Sequence, residues 1–431
     1  MAGCEGLLFC GAGSMRRAGA GEEFGDFFPT RPEIQADVPK VRFKPRPGKT
    51  LSVRKWNSAF SGDGHLDIAK VLRRIQRGGV HPLIKGAVWE FLLGCFDPNS
   101  STEERNQLRQ HRREQYRNWK AECRNMVPII GSGKLISTPI VTDDGQPIID
   151  SSTNNSHGVR CNRDPKVIQW MLLLHQIGLD VIRTDRALVF YEKETNQAKL
   201  WDILAVYAWV DSDIGYVQGM NDICSPMVIL LEEEADAFWC FQRAMQRLRE
   251  NFKTSSTSIG VQTQLSTLSQ VIRTIDPKLH QHLEDLDGGE YLFAFRMLMV
   301  LFRREFSFVD SLYLWELMWA MEYNPNIFSL SEEPGGDKHD VSKLNSRLLK
   351  QCGKYERENV KTGSTEQPSA FAIFLVASVL EIKNKKILKE AKGLDDVIQI
   401  LADITGSMDV KKMCSEALKI HKKYRNKVKK P

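Results

Sequence analysis

The sequence predicts an all-α fold with more helices than a four-helix bundle. Three observations carry this. From Leu51 onward, apolar residues recur at helical spacing through almost the whole chain. No run alternates apolar and polar residues for long enough to build a sheet. The β-branched stretch that does occur lies inside a Gly-, Pro- and Asp-rich segment, 127–150, which reads as loop. A length of 431 residues allows two or three cores, and no fixed-period repeat suggests a solenoid.

Residues 1–50 are rich in Gly, Pro and charge, show neither period, and are expected to be disordered. A lead-in helix is expected over 51–81, with Leu66, Ile68, Val71, Leu72 and Ile75 on one face and a stop at Gly78-Gly79. "HPLIKGAVWEFLLGCF" follows, and a charged helix carrying Tyr116 and Trp119 spans 101–126. Residues 127–163 read as a long loop insertion. Asp164 then Pro165 is an N-cap followed by Pro at the first helical position, opening a helix to about Gly178. "NQAKLWDILAVYAWV" is helical, "DSDIG" breaks it, and the apolar "YVQGMNDICSPMVILL" follows, with Pro226 a kink or a new start. Two amphipathic helices, 235–252 and 260–286, precede an apolar helical region over 292–321. Residues 323–368 read as a polar insertion, 369–410 as closing helices and 411–431 as a basic C-terminal helix or tail.

The net charge of +6 invites a nucleic-acid reading, but residues 411–431 hold nine Lys/Arg and one Glu. That leaves the rest of the chain near neutral, so the charge describes a tail. The tail reads as solvated, or as drawn to anionic lipid or an acidic partner. Arg109, Arg112, Arg113 and Arg117 read as a solvated helix face. Nine scattered cysteines without a CxxC pair suggest neither a zinc site nor a disulfide framework, and point to a reducing cytosol. No segment reaches the length of a membrane span; the ten residues Phe371–Leu380 read as a buried helix. "PRPGKT" at 45–50 imitates the end of a P-loop, but Phe43 stands where a Gly is required and no strand precedes it, so nucleotide binding is not expected. The nine His show no ligand spacing. Trp89, Trp201, Trp209, Trp239, Trp315 and Trp319 lie on helical patterns and read as core.

One segment, Ile177–Pro226, concentrates side chains able to do chemistry. Asp180 and Arg183 are three apart at a helix end and can support each other. Gln218 follows the break, where a side chain can project, and Gly215 and Gly219 flank Tyr216-Val217-Gln218. Taken alone, these residues read first as an ordinary surface salt bridge and a helix N-terminus with a capping amide.

Ile-x-x-Asp-x-x-Arg at 177–183, followed by Tyr-x-Gln-Gly at 216–219, resembles the TBC domain of Rab GTPase-activating proteins. "GGVHPLIKGAVWEFLLG" looks like the opening block of that family, "DVIRTDRALVFYE" and "LWDILAVYAWVDSDIGYVQGMNDICSPM" like central blocks, and "FRMLMVLFRREFSFVDSLYLWELMW" like the closing block, so the resemblance covers about 78–322. It implies a multi-helix fold of two helical subdomains flanking a partner-binding groove, with the domain at 82–322. The implied activity is acceleration of GTP hydrolysis by a Rab-family GTPase in its GTP form, in vesicle trafficking. Arg183 would be an arginine finger and Gln218 a glutamine finger. Asp180, Thr184, Tyr216, Gly219, Asn221 and Asp222 would support them, and Ile177, Gly86 and Trp89 would be structural. No cofactor of its own is implied, since GTP and Mg²⁺ belong to the partner. The implied location is the cytoplasm and the periphery of intracellular membranes. The chain departs from the family pattern in carrying Lys85 before Gly86, where Arg is usual, and Ile182 where many members have Pro, which predicts a looser turn before Arg183. Both fingers are intact. The competing readings are a non-catalytic Rab effector or trafficking scaffold on the same fold, and an unrelated helical adaptor whose tail binds membrane.

Overall fold

Helix caps and apolar stripes set the element order, and the computed structural model describes residues 27–148, 164–253, 260–328, 346–360, 370–402, 404 and 408–428. Among these residues the helices are α1 (Val53–Asn57), α2 (Ile68–Gly78), α3 (Lys85–Leu92), α4 (Thr102–Met126), α5 (Pro165–Arg183), α6 (Glu194–Val210), α7 (Met220–Leu230), α8 (Glu234–Phe252) and α9 (Gly260–Ile275). There follow α10 (Pro277–Asp285), α11 (Phe295–Met299), α12 (Phe308–Glu322), α13 (Ser346–Gln351), α14 (Lys354–Val360), α15 (Phe371–Glu390), α16 (Leu394–Ala402) and α17 (Val410–Val428). The β pairing among the described residues consists of isolated bridges, so the fold is all-α as expected.

Two groups of helices pack around one continuous apolar core. In the first, α4, α5, α6, α7 and α8 pack on one another; in the second, α9, α10, α15 and α17 pack together, and α12 lies against α2, α14 and α17. The two groups meet where α8 packs on α9 and where α3 bridges α7 and α12. Every residue from Phe371 to Leu380 is buried, which is why that apolar run needs no membrane. No helix among the described residues is long and apolar enough to cross one.

Several boundaries differ from the expected ones for local reasons. The lead-in is two helices, because Ser58–Asp67 form a turn region whose Asp67 side chain caps α2 on the N–H of Lys70. The pattern over 260–286 splits at Asp276, whose carboxylate caps α10 at Leu279. The 292–321 region breaks at Leu301 and Phe302, both with positive φ, before Ser307 caps α12. α7 runs through Pro226 without ending. Within the polar insertion, α13 and α14 are helical; residues 329–345 and 361–369 lie outside the described residues.

Part of the N-terminal segment expected to be disordered is placed by aromatic anchors; residues 1–26 lie outside the described ones. Phe28 meets Phe308 edge-on at 5.2 Å, and buried Phe43 stacks on Tyr313 at 4.0 Å. A few widely spaced aromatics dock this segment on α12, and such anchoring leaves no periodicity to read. The 127–163 insertion is likewise more than a surface loop. Val127, Ile130, Ile136, Ile140 and Val141 are buried, and a Cβ on Gly178 would fall 1.7 Å from the carbonyl oxygen of Ile136. Residues 149–163 lie outside the described residues.

The arginine run on α4 is not simply a solvated face. Arg109 pairs with Glu90, Arg113 with Asp236, and Arg112 is buried; Arg117 remains exposed. Trp89, Trp201, Trp315 and Trp319 are buried and Trp209 and Trp239 partly so, which makes them core.

α17 is not a free tail either. Met413, Cys414, Ala417 and Ile420 are buried, and the ring of His421 sits 4.5 Å from that of Tyr355 and 4.8 Å from that of Phe374. Burial, then the nearby Arg425, lowers the His421 pKa to about 4. The folded state therefore favours neutral imidazole. The associated stability is complete above the ordinary value near 6.5 and is lost as pH falls toward 4. Wild type is expected to lose about 3 kcal/mol more than His421→Leu between pH 7 and pH 4, read from urea unfolding at each pH.

Candidate functional site

α5 continues through Gly178 and Ile182 to Arg183, so Asp180 and Arg183 share its last helical turn and the turn before Arg183 is not loosened. Asp180 is buried, while the Arg183 side chain is 55% exposed. One Asp180 oxygen accepts from the Arg183 guanidinium, and the other accepts from the Tyr216 hydroxyl at 2.6 Å. Burial, reinforced by the Asp180 carboxylate, pushes the Tyr216 hydroxyl far above its ordinary pKa, so it stays protonated and donates.

Tyr216 belongs to the turn between α6 and α7. That turn needs Gly219, whose φ is 108° and whose Cβ would fall 2.9 Å from Val300 Cγ1. Asn221 stitches the turn to α5. Its Oδ1 accepts from the Gly219 N–H at 3.0 Å, and its Nδ2 donates to Thr184 Oγ1 at 2.9 Å. Thr184 in turn donates to the Asp180 carbonyl oxygen at 2.7 Å. The Tyr216 oxygen also lies 3.2 Å from Asn221 Oδ1, but its single proton serves the shorter contact to the charged acceptor.

Hydrogen bonds thus link Tyr216, Asp180, Thr184, Asn221 and Gly219 in one chain, buried at every member and closed by the backbone of the turn, that ties the end of α5 to the turn before α7. Gln218 is exposed on that turn, as Arg183 is on the helix end. Two polar side chains are thereby presented to solvent from a rigid, mutually braced base. Tyr216→Phe deletes a donor to a buried carboxylate and is expected to cost about 1–3 kcal/mol, seen as a lower urea midpoint at unchanged m-value.

Asp222 does not brace the Gln218 turn. Its carboxylate pairs with Arg304 at 2.8 Å, while burial raises its pKa and Arg304 opposes that rise. Ile177 is buried on the inner face of α5. Gly86 and Trp89 sit elsewhere, in the interface of α3 with α7 and α12. A Cβ on Gly86 would come 2.6 Å from the Leu230 carbonyl oxygen, and Trp89 donates to Glu316 at 3.2 Å.

Sequence reasoning missed a second layer of support. Asp185, with φ 45°, accepts from Ser225 Oγ at 2.6 Å and pairs with buried Arg303. An N-terminal strap also clips the segment after Arg183. The Arg31 N–H donates to Ala187 O at 2.8 Å, and the Val189 N–H donates to Pro29 O at 2.9 Å. These partners are far apart in the chain and share no spacing rule. Exposed Leu179 and Ile182 flank Arg183 on the surface.

Residues 149–331 match the family model of the Rab-GTPase-TBC domain. The chain is 25% identical to Rab GTPase-activating protein 22 of Arabidopsis thaliana, across 85% of this chain and 79% of that protein. It is 31% identical to human TBC1 domain family member 17 across 67% of this chain, and 24% identical to the GTPase-activating protein GYP7 of Saccharomyces cerevisiae across 87%. It spans less than half the length of each of these last two, 40% and 45%. The crystal structure of the Ypt/Rab-GAP domain of Gyp1p shares the fold, with a TM-score of 0.58 at 18% identity, across 86% of this chain and 98% of that one. Residues 149–331 are therefore a Rab-GTPase-TBC domain.

Proposed function

We propose that this chain is a GTPase-activating protein that accelerates GTP hydrolysis by a Rab-family small GTPase in its GTP form. Arg183 and Gln218 would act in trans as an arginine finger and a glutamine finger. The observation that carries this reading is that both side chains are exposed, Arg183 on the last turn of α5 and Gln218 on the turn before α7, with the two cross-linked by buried hydrogen bonds. A GTPase left to itself compensates poorly for the charge on the transferring phosphoryl group and holds its attacking water loosely. The guanidinium of Arg183 meets that charge with directed N–H donors. The Gln218 amide, able both to donate and to accept, orients the water.

Asp180 positions Arg183, and Tyr216 and Asn221 fix the turn that presents Gln218. GTP and Mg²⁺ arrive with the partner, whose switch surface would rest on the apolar ground of Leu179 and Ile182. The cytoplasmic face of trafficking membranes is the corresponding location.

The test is single-turnover GTP hydrolysis across a panel of purified Rab proteins. Acceleration of one or a few supports the reading and names the substrate. Flat rates across the panel with retained Rab binding would replace it with the effector reading.

A further inference from the structure

The charge outside the C-terminal helix is near zero in sum but unevenly spread. Residues 38–78 hold eleven Lys and Arg against two acids, Asp63 and Asp67. Three separate pieces of chain bring part of this charge to one place. The first is the segment 40–49, held on α12 because the Asp310 carboxylate accepts from the backbone N–H groups of Arg42 (3.0 Å) and Phe43 (2.7 Å). Its P-loop-like "PRPGKT" is a turn, closed by the N–H groups of Lys49 and Thr50 on the Arg46 carbonyl, both at 3.0 Å. The second is α2, whose Arg74 donates to the Gly48 carbonyl at 3.1 Å and whose Arg77 is exposed. The third is the first turn of α17, where Lys411 donates to the Arg77 carbonyl at 2.8 Å.

Arg42, Lys44, Arg46, Arg77 and Lys411 together rim a small concavity of about 50 Å³. The acids at its edge are already engaged. Asp310 is buried on backbone donors, and Asp409 accepts from the Lys412 N–H at 2.7 Å. The crowding of cations extends to Lys55, whose pKa is lowered by burial and then by repulsion from Arg74 and Arg54.

The cations of α17 beyond its first turn are largely committed to the fold. Lys423 and Lys427 donate to the carbonyls of Ile275 (3.0 Å) and Thr274 (2.8 Å) at the end of α9. Arg425 donates to the Glu358 carbonyl at 2.9 Å, and Lys419 pairs with Glu416 at 2.8 Å. Lys423, Arg425 and Lys427 serve as C-terminal caps, as basic residues near helix ends do.

We infer that the composite face of residues 40–49, α2 and the start of α17, and not the C-terminal end of the chain, docks this protein on an anionic lipid bilayer. Lys44, Arg46, Arg77 and Lys411 are exposed on this face and outnumber the two acids that line it, Asp310 and Asp409, so the face attracts a negative surface. Val41 is exposed at 39% between Lys40 and Arg42, an apolar contact of the kind an interfacial segment uses. A single-stranded nucleic acid would want stacking aromatics, but Phe43 and Trp56 here are buried. The finger chemistry plays no part in this surface, so the two proposals stand or fall separately.

The full chain is tested by flotation with vesicles of phosphatidylcholine alone, or with about one-third phosphatidylserine. Binding is expected to the anionic vesicles alone and to fade with added salt. Lys44→Glu/Arg46→Glu/Arg77→Glu should weaken it by at least about 100-fold, at about fivefold per charge. Lys419→Glu/Lys422→Glu on the far part of α17 should cost far less. If the triple variant proves unstable on heating, Lys40→Glu/Lys49→Glu carries the same test with an expected loss of about 25-fold or more. GTP hydrolysis in vesicle-free solution should be the same in wild type and face variants. Failure to bind anionic vesicles overturns the inference, as does an equal loss in the α17 variant. Displacement from vesicles by an equimolar DNA or RNA duplex overturns it in favour of nucleic acid.

Discussion

Arg183→Ala is expected to remove about 10³–10⁵ of the rate acceleration toward the responsive Rab, with the complex still forming at micromolar protein. Arg183→Lys should fare little better, although it keeps the charge. An ammonium is a point charge and cannot reproduce two directed donors in a fixed plane. Gln218→Ala should show a comparable defect, and the double variant should lose much less than the product of the two, since both act on one transition state. Phosphate release under single-turnover conditions reads all four proteins. Unchanged rates in Arg183→Ala would remove the finger from the mechanism even if wild-type protein is active. Asp180→Asn separates positioning from chemistry. It weakens the hold on Arg183 without touching the guanidinium, so it should lower kcat while leaving affinity for the GTPase near wild type.

Lys85→Met is expected to be the most damaging single change to stability, by about 3–5 kcal/mol. Lys85 and Glu316 are both wholly buried, with Nζ 2.5 Å from the carboxylate. Burial pushes the lysine pKa down and the glutamate pKa up, and each partner opposes the shift of the other. Glu316 also accepts from Trp89 Nε1 and from the Val80 N–H, each at 3.2 Å, so it joins α3 and the end of α2 to α12. Removing the ammonium leaves a carboxylate with neutral donors in a site closed to water. Adding Glu316→Gln should recover a large part of the loss, because the amide oxygen still accepts from both donors and no charge remains to be paired. Urea unfolding of the wild type, both single variants and the double variant measures the coupling. A double variant no more stable than Lys85→Met would mean that packing of the lysine stem, not the charge, is what matters. Lys85 is accommodated here by one carboxylate oxygen at close range.

Local chemistry made much of the molecule readable in advance. The apolar spacing of α2, the capping box Ser101/Glu104 that opens α4, and Asp164-Pro165 at the start of α5 each depend on residues within four positions, so their signals lie in adjacent letters. Phe371–Leu380 is buried as its composition required. Asp180, Arg183, Tyr216, Gln218 and Gly219 stood out because the resemblance spans several blocks in order, and the braces Asp180–Tyr216 and Asn221–Thr184 join residues on its list.

Other features depended on pairs hundreds of residues apart. The arginine run on α4 has the same letters whether it faces water or Glu90 and Asp236. Residues 27–50 have no period, and Phe28 and Phe43 are fixed because α12 offers them Phe308 and Tyr313. Asp222 pairs with Arg304 instead of capping its own turn because the turn after α11 brings that guanidinium within 2.8 Å. The basic stretch at 40–55 and the C-terminal basic run look alike as letters, yet Lys423 and Lys427 of that run are spent on the carbonyls of α9. By itself the sequence determined helix and cap, since each rests on short-range sterics and hydrogen bonding. Which charges are paired, which aromatics anchor a loop and which cations are left to meet a partner was decided by tertiary contact alone, because burial and long-range complementarity have no local period.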